Sequence, residues 1–489
     1  MAAGNPETAA AAAAVLRLGG NAVDAAIAAG FAAAVAEPGL TSLGGGGFLL
    51  LRRADGSQHL LDFFVNGPGS GRPASDLTPE FTPVTVAFSG AEQVFHAGYG
   101  SVGVPGVLDG YLTAHGRFGR LDLADVVAPA RAAATDGVPL SPAQAEVLSL
   151  LRRIFTLTAE ARAVFEEGPE EASPERGGAP MVGHLLRNAP YASFLGELAG
   201  SDVTGWRDRS ETAALVEQMN DNHGLVTLAD FHSYEVVERS PLQVRYRDAT
   251  VTTNPAPSFG GAIVTDALLA LDASGPLSGR PDGAVRVLQT LTAATESAKR
   301  QRRAQSQKGT THISVADADG DTVSMTTSNG SCSGVMIPGT GVQLNNVMGE
   351  ADLHPEGFHV TTPGTRISSM MAPMLLDLPD GSVVALGSGG SERIRSALTQ
   401  AIVNLVDYGI DLQDAVDAAR AHHDGNAIQV EPGLRGHELA ALSAVARVNQ
   451  WSAPNLYFGG VHAVMRGPDG TMVAAGDARR DGAGIVVEL

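Results

Sequence analysis

A single cysteine, Cys332, means that no disulfide can form within the chain, and nothing argues for an oxidising compartment. Its neighbours Ser331, Ser333 and Gly334 include no cation to lower a thiol pKa, so Cys332 reads as a small buried residue rather than a nucleophile. Basic residues are also scarce. The 33 Lys and Arg stand against 53 Asp and Glu, and the net charge of −20 repels a phosphate backbone and argues against nucleic acid as a partner. The longest apolar run near the N-terminus, Ala25 to Ala36, falls short of the ~20 residues of a membrane span, so no membrane partner is expected. The first basic residue is Arg17, so the opening residues lack the basic stretch of a secretory signal, and a cytoplasmic location is expected unless a leader has been trimmed.

What remains is an ordinary globular composition, 44% hydrophobic, in 489 residues that are long enough for about three domains of ~150 residues but show no linker. Asn5-Pro6-Glu7 starts a helix that stops at Gly19-Gly20, and Asn21 with Asp24 caps a second running to about Glu37-Pro38. The four glycines Gly44 to Gly47 lead into a strand without a following Gly-Lys-Ser/Thr, so they read as close packing rather than a phosphate loop. Phe48 to Arg52 and Gln58 to Phe63 read as paired strands. The middle, about Leu108 to Asn254, reads as mostly helical, with an acidic surface stretch at Glu166 to Glu175, and helices resume from Gly261 to Arg303. From Thr310 the chain is strand-rich, with a late helix from Ser391 to Tyr408 ended by Gly409. Strands at both ends with helices between predict one layered α+β domain whose sheets draw on both halves.

The chemistry centres on Gly309-Thr310-Thr311-His312. If the bond after Gly309 breaks, Thr310 gains a free α-amine, which titrates near ~7.7–8.0 and serves as a base beside its own hydroxyl. Gly309 suits the scissile position because it lacks a Cβ. Thr310 to Ala316 alternates as a strand, with Thr311, Ile313 and Val315 on one face and Thr310, His312 and Ser314 on the other. Thr322 to Ser328 alternates in the same way beyond the turn residues Asp317 to Gly320, so the two form a hairpin. A three-residue loop sets Thr310 opposite Ser328, and a two-residue loop sets it opposite Asn329. The basic cluster Lys299 to Arg303, with Lys308, reads either as an exposed approach to a cleavage site or as a solvated helix end.

Further along, Ser382 to Leu386 is a buried strand, and Gly387-Ser388-Gly389-Gly390-Ser391 leads into a helix whose start offers backbone N–H groups to an anion or oxyanion. Glu392 breaks the dinucleotide pattern. Arg366 to Met371 offers the hydroxyls of Ser368 and Ser369, and Leu344 to Glu350 offers amides and an acid. Adjacent His422 and His423 diverge and have no third ligand at good spacing, so no metal site is expected.

With these pieces in one order, the chain resembles the γ-glutamyltransferase (glutathione hydrolase) family of N-terminal-nucleophile hydrolases. The likeness rests on Leu18 to Ala26 with Glu37-Pro38, Gly44 to Phe48, Val104-Pro105-Gly106, Pro255 to Gly261, Thr310-Thr311-His312, Ser368-Ser369-Met370 and Gly476 to Arg480. It implies a four-layer αββα sandwich made as a precursor and cleaved before Thr310. The segments 1–309 and 310–489 then stay together in one domain; assembly into homo-oligomers is left open. It further implies Thr310 as nucleophile, Ser328 as the hydroxyl touching it, and the N–H groups of Gly390 and Ser391 as oxyanion hole. Asn329, Glu350, Ser368 and Ser369 become substrate-binding residues, and no cofactor is implied. The family's Asp-Phe-Arg motif, whose arginine pairs with the substrate carboxylate, is here Asp62-Phe63-Phe64, and phenylalanine cannot replace a bidentate guanidinium. A polar residue expected before Met348 is Val347. The leading expectation is therefore a small-molecule amidase acting on γ-glutamyl amides such as glutathione. The alternatives are the same mechanism on a glutaryl, cephalosporin or oxamate-type acyl group, or an uncleaved binding protein.

Overall fold

Local signals start the first two helices. In the computed structural model, Asn5 accepts a hydrogen bond from the Glu7 N–H at the head of the helix Pro6–Arg17, and Asn21 and Asp24 form a reciprocal capping box at the head of Ala22–Ala36. Each such cap contributes ~1 kcal/mol. The structure describes residues 1–73, 76–78, 80–88, 91–166, 181–200, 203–280, 282–300, 309–350, 353–354, 357–358 and 360–488. Residues 301–308, with Arg302, Arg303 and Lys308 of the basic cluster, and most of the acidic stretch Glu166 to Glu175 lie outside these.

Two antiparallel sheets form the centre. The larger runs in the order Ala483–Gly484, Ala2–Ala3, Thr311–Ala316, Thr322–Ser328, Gly46–Arg52, Gln58–Phe63, Val237–Arg239. The smaller runs Met472–Ala475, Gly460–Arg466, Val383–Gly389, Met374–Asp377, Ala249–Thr253, Leu242–Tyr246. Alternate residues of each strand face opposite ways, which sorts the core into layers. Leu49, Leu61, Ile313, Val323 and Met325 pack under the N-terminal helices. Val251, Leu376, Val384 and Leu386 pack under the helices Gly260–Ala273, Gly283–Arg300 and Arg393–Val406. Phe48, Leu50, Leu60, Leu375, Ala385 and Val464 fill the space between the sheets. The order is helix, sheet, sheet, helix, the four-layer αββα sandwich expected from the resemblance, and both sheets take strands from either side of Thr310.

The hairpin adopts the first of its two registers. Thr311 pairs with Thr327 and Ala316 with Thr322, Asp317 N–H bonds Asp321 O, and Gly320 turns with φ +104. The three-residue loop brings Thr310 opposite Ser328.

The stretch Leu108 to Asn254 is mostly helical, as expected, but also supplies strands: Val237–Arg239 ends one sheet and Leu242–Tyr246 and Ala249–Thr253 end the other. Leu242–Tyr246 alternates apolar and polar residues, with Gln243 and Arg245 facing outward, as an edge strand does. Gly387 to Gly389 do not form a turn but continue the strand begun at Val383, so the turn is confined to Gly390 to Glu392.

Candidate active site

The period of the strand Thr311–Ala316 separates two environments. Thr311 points toward the helices, where its hydroxyl donates to the Glu37 carboxylate. His312 and Ser314 point into the space between the sheets. The His312 ring lies against Gly387, where a Cβ would overlap it, and Ser314 Oγ donates to His462 O at 3.1 Å. Thr310 begins this inward row, its carbonyl so close to Gly389 that a Cβ there would overlap it.

Around the Gly309–Thr310 bond the groups are already arranged. The Ser328 hydroxyl donates to the carbonyl oxygen of Gly309, and the Gly330 N–H donates to Ser328 Oγ at 3.1 Å. The second bond orients the hydroxyl, so its proton is committed to the carbonyl of the bond expected to break. Gly309 is hemmed in by the carbonyls of Gly330 and Gly39, leaving no room for a side chain. Thr310 is fully buried, and its Oγ has no hydrogen-bond partner among the described residues. Leaving a buried hydroxyl unpaired costs about 1–3 kcal/mol, a penalty that a structural threonine would shed by finding a partner.

The other predicted residues divide. Glu350 is buried and lies beside Gly330, together with Asn346, whose Oδ1 accepts from the Ser331 N–H at 2.7 Å. A Cβ on Gly330, which has φ +63, would overlap Asn346 Oδ1 and stand 2.8 Å from Glu350 Oε1. Gly390 and Ser391 follow Gly389 directly and are buried, with φ of +120 and +63. A left-handed serine costs about 1–3 kcal/mol and persists only where its surroundings hold it. Asn329 commits its amide nitrogen to Cys332 Sγ and Leu344 O, both at 3.3 Å. Ser369 Oγ accepts from the Met371 N–H at 3.0 Å, and its carbonyl accepts from Ser258 Oγ at 2.9 Å, while Ser368 is half-buried. Neither serine bonds Thr310 or Ser328 among the described residues.

Phe64 is fully buried, stacked on Phe48 with ring centroids 6.0 Å apart, in the inter-sheet cluster that also holds Val347, Met348 and Met371. Gly46, which pairs with Ser328, lies against the Phe64 ring. Arg366 is tied to the carbonyls of Phe64 and Glu235 and to Tyr234 Oη, so its guanidinium is occupied. Cys332 is buried, and burial pushes its thiol up to about 12, as a non-nucleophilic cysteine requires. His422 is buried with Nδ1 2.8 Å from Ser396 Oγ, and no group of three potential ligands that could hold a metal occurs among the described residues.

Two residues with no assigned role in the sequence reading enter here. Arg480 Nη1 donates to the Thr310 carbonyl at 3.1 Å, and Glu37 accepts from both Thr311 and Thr8. Burial pulls Arg480 down to about 10, which leaves it cationic at neutral pH. Burial pushes Glu37 up, against its two hydroxyl donors and the charge of Arg480. The signal for them in the sequence is that Glu37-Pro38 and Gly476 to Arg480 are among the motifs that carry the resemblance.

With this geometry in view, likenesses to known proteins are informative. The γ-glutamyltranspeptidase family model matches residues 8–307 and 289–487. The chain is 31% identical to the acylase ACY 1 proenzyme of Pseudomonas sp. (strain SE83), covering 99% of this chain and 92% of that protein. It is 27% identical to the glutathione hydrolase proenzyme of Escherichia coli (strain K12), covering 95% and 87%. In fold it is similar to the cephalosporin acylase from Bacillus halodurans, with a TM-score of 0.82 at 24% identity over 100% of this chain and 95% of that one. It is also similar to the γ-glutamyltranspeptidase of Helicobacter pylori, with a TM-score of 0.52 at 23% identity over 75% and 93%. The chain belongs to the γ-glutamyltranspeptidase family.

Proposed function

We propose that the chain cleaves itself between Gly309 and Thr310 and then hydrolyses small-molecule amides through an ester on Thr310 Oγ. The observation that carries this reading is the Ser328 hydroxyl on the Gly309 carbonyl, next to a buried Thr310 hydroxyl with no partner among the described residues. In self-cleavage, Thr310 Oγ adds to the Gly309 carbonyl carbon while Ser328 stabilises the developing oxyanion. The C–N bond breaks with proton transfer to nitrogen, and water hydrolyses the resulting ester to a Gly309 carboxylate and a free Thr310 amine. Segments 1–309 and 310–489 stay together because each contributes strands to both sheets.

In turnover, the α-amine accepts the Thr310 hydroxyl proton as Oγ attacks the substrate carbonyl. The N–H groups of Gly390 and Ser391 hold the tetrahedral oxyanion, the proton passes to the leaving amine, and water releases the acyl group. Relatives named glutathione hydrolase make γ-glutamyl amides the first substrates to try, with Glu350 receiving the α-ammonium and Ser368 and Ser369 the α-carboxylate. A second reading keeps the mechanism and changes the acyl group. It is favoured by Phe64 and Val347 in an apolar cluster and by Arg366 being tied off, so neither position 64 nor Arg366 offers a free guanidinium to a substrate carboxylate.

Mass spectrometry of the purified protein tests the first step, with masses for 1–309 and 310–489 expected. A panel of γ-glutamyl, glutaryl and oxamate amides then separates the readings. An intact chain inactive on all three would overturn both.

A further inference from the structure

Arg480 lies beneath both halves of the site. Its Nη1 donates to the Thr310 carbonyl, and the same guanidinium lies against Gly389 and Gly390 at the strand end that leads into the proposed oxyanion hole. The side-chain stem runs over Gly460, where a Cβ would overlap it. The short 3-10 turn Ala478–Arg480 that presents it is held from behind. Asp477 caps that turn, accepting from the Arg479 N–H at 3.0 Å and from the Val461 N–H at 2.8 Å, and pairs with Arg420 at 2.6 Å and Arg479 at 3.1 Å. Arg479 in turn pairs with Glu431 at 2.6 Å, so the turn is pinned through fully buried ion pairs. Such rigid support is what a group needing fixed geometry requires.

We infer that Arg480 is a positioning residue that fixes the Thr310 main chain against the Gly389–Gly390 strand end and, by its charge, keeps the α-amine freed by maturation in the neutral form that accepts a proton. This rests on the N-terminal-nucleophile reading above. The physical reason is distance. The α-nitrogen and carbonyl oxygen of one residue are about 3 Å apart, so a guanidinium bonded to that oxygen stands within about 6 Å of the amine in a buried, low-dielectric site. A cation at that range disfavours a second one, so the ammonium releases its proton at lower pH.

Other charges face the same point. Glu37 approaches from the helix side through Thr311 Oγ, and Glu350 from beyond Gly330. Behind Arg480 stand Arg393, Arg420 and Asp477, each of which acts electrostatically on it. Asp477 is already paired to Arg420 and Arg479, so Arg480 is the cation that directly bonds the nucleophile residue.

The test is the pH profile of kcat/KM for the processed protein and for Arg480→Met and Arg480→Lys, using whichever amide the panel identifies. Removing the charge is expected to move the acid limb of Arg480→Met up by about one pH unit or more, and Arg480→Lys is expected to bring it most of the way back. Periodate oxidation of the N-terminal amino alcohol, followed against pH by mass spectrometry, reads the same amine without catalysis. An unshifted acid limb and an unshifted oxidation profile in Arg480→Met, with Thr310 at the new terminus, would overturn the inference while leaving the hydrolase reading intact. A normal chain that never exposes Thr310 would instead overturn the hydrolase reading. If Arg480→Met is not processed, the neutral variant Arg480→Gln takes its place, with the same upward shift expected. An unshifted profile there also counts against the inference.

Discussion

The hydroxyl of Ser328 reaches across the hairpin to the carbonyl oxygen of Gly309, and the Gly330 N–H holds it in that direction. This one donor stands where negative charge develops if Thr310 attacks its own preceding carbonyl. Ser328→Ala is therefore expected to slow fragment formation by about 10²–10³-fold, the usual effect of losing one preorganised oxyanion donor. Thr310→Ala is expected to stop both processing and turnover. Denaturing electrophoresis over time reads both, and normal fragments from Thr310→Ala would sink the assignment.

Gly389 is expected to be intolerant of any side chain. A Cβ there would overlap the Thr310 carbonyl and stand 2.8 Å from Arg480 Nη1, both in a buried strand with no slack. Gly389→Ala should fold, because the strand Val383–Gly389 is otherwise intact, but lose most processing or turnover. Retention of full activity together with a normal circular dichroism spectrum would show that the strand end can shift.

From sequence alone, Phe64→Arg is expected to restore a carboxylate partner and improve γ-glutamyl affinity. The structure changes that expectation. Phe64 is fully buried among apolar side chains, so a guanidinium there lacks partners and is expected to destabilise the fold by several kcal/mol. A clear drop in the thermal midpoint, with no lower KM for a γ-glutamyl amide, is the expected result. A lower KM at unchanged stability would show that the pocket is open to the substrate carboxylate.

Stability is expected to fall in mild acid. Burial lowers the pKa of His312, His422 and His462, the last to about 4. Below ~6.5 the unfolded chain takes up protons that the folded chain refuses, so each histidine costs up to ~1.4 kcal/mol per pH unit until its folded pKa is reached. The stability is fully present above ~6.5 and is lost as pH falls toward 4. Carboxyls whose pKa burial raises, Glu37 and Asp109 among them, act in the opposite sense. The comparison of thermal midpoint against pH for the normal chain and His422→Gln isolates one histidine, and equal slopes would contradict the account.

The Cys332 thiol is expected to resist alkylation at pH 8 in the folded protein and to react once denatured, because burial holds it protonated. Rapid labelling of native protein with a thiol reagent would mean that the loop after Ser328 opens readily.

Much of this protein follows from local rules. The alternation of Thr310 to Ala316 and Thr322 to Ser328, with a loop matched to Gly320, sets which side chains face which layer and brings Ser328 opposite Thr310. The caps at Asn5 and Asn21 and the strand before Gly390 are local in the same way. The places of Leu242–Tyr246 and Ala249–Thr253 at one end of the smaller sheet were not legible, because distant strands decide which sheet a strand joins. Nor was the setting of Phe64, Asn329 and Ser369, whose partners come from other elements. Glu37 and Arg480 lie near opposite ends of the chain and reach Thr311 and Thr310, respectively, only through the tertiary packing. Short-range periodicity carries no information about which distant charge will be buried beside a given peptide, so that part of the site was decided by the tertiary structure.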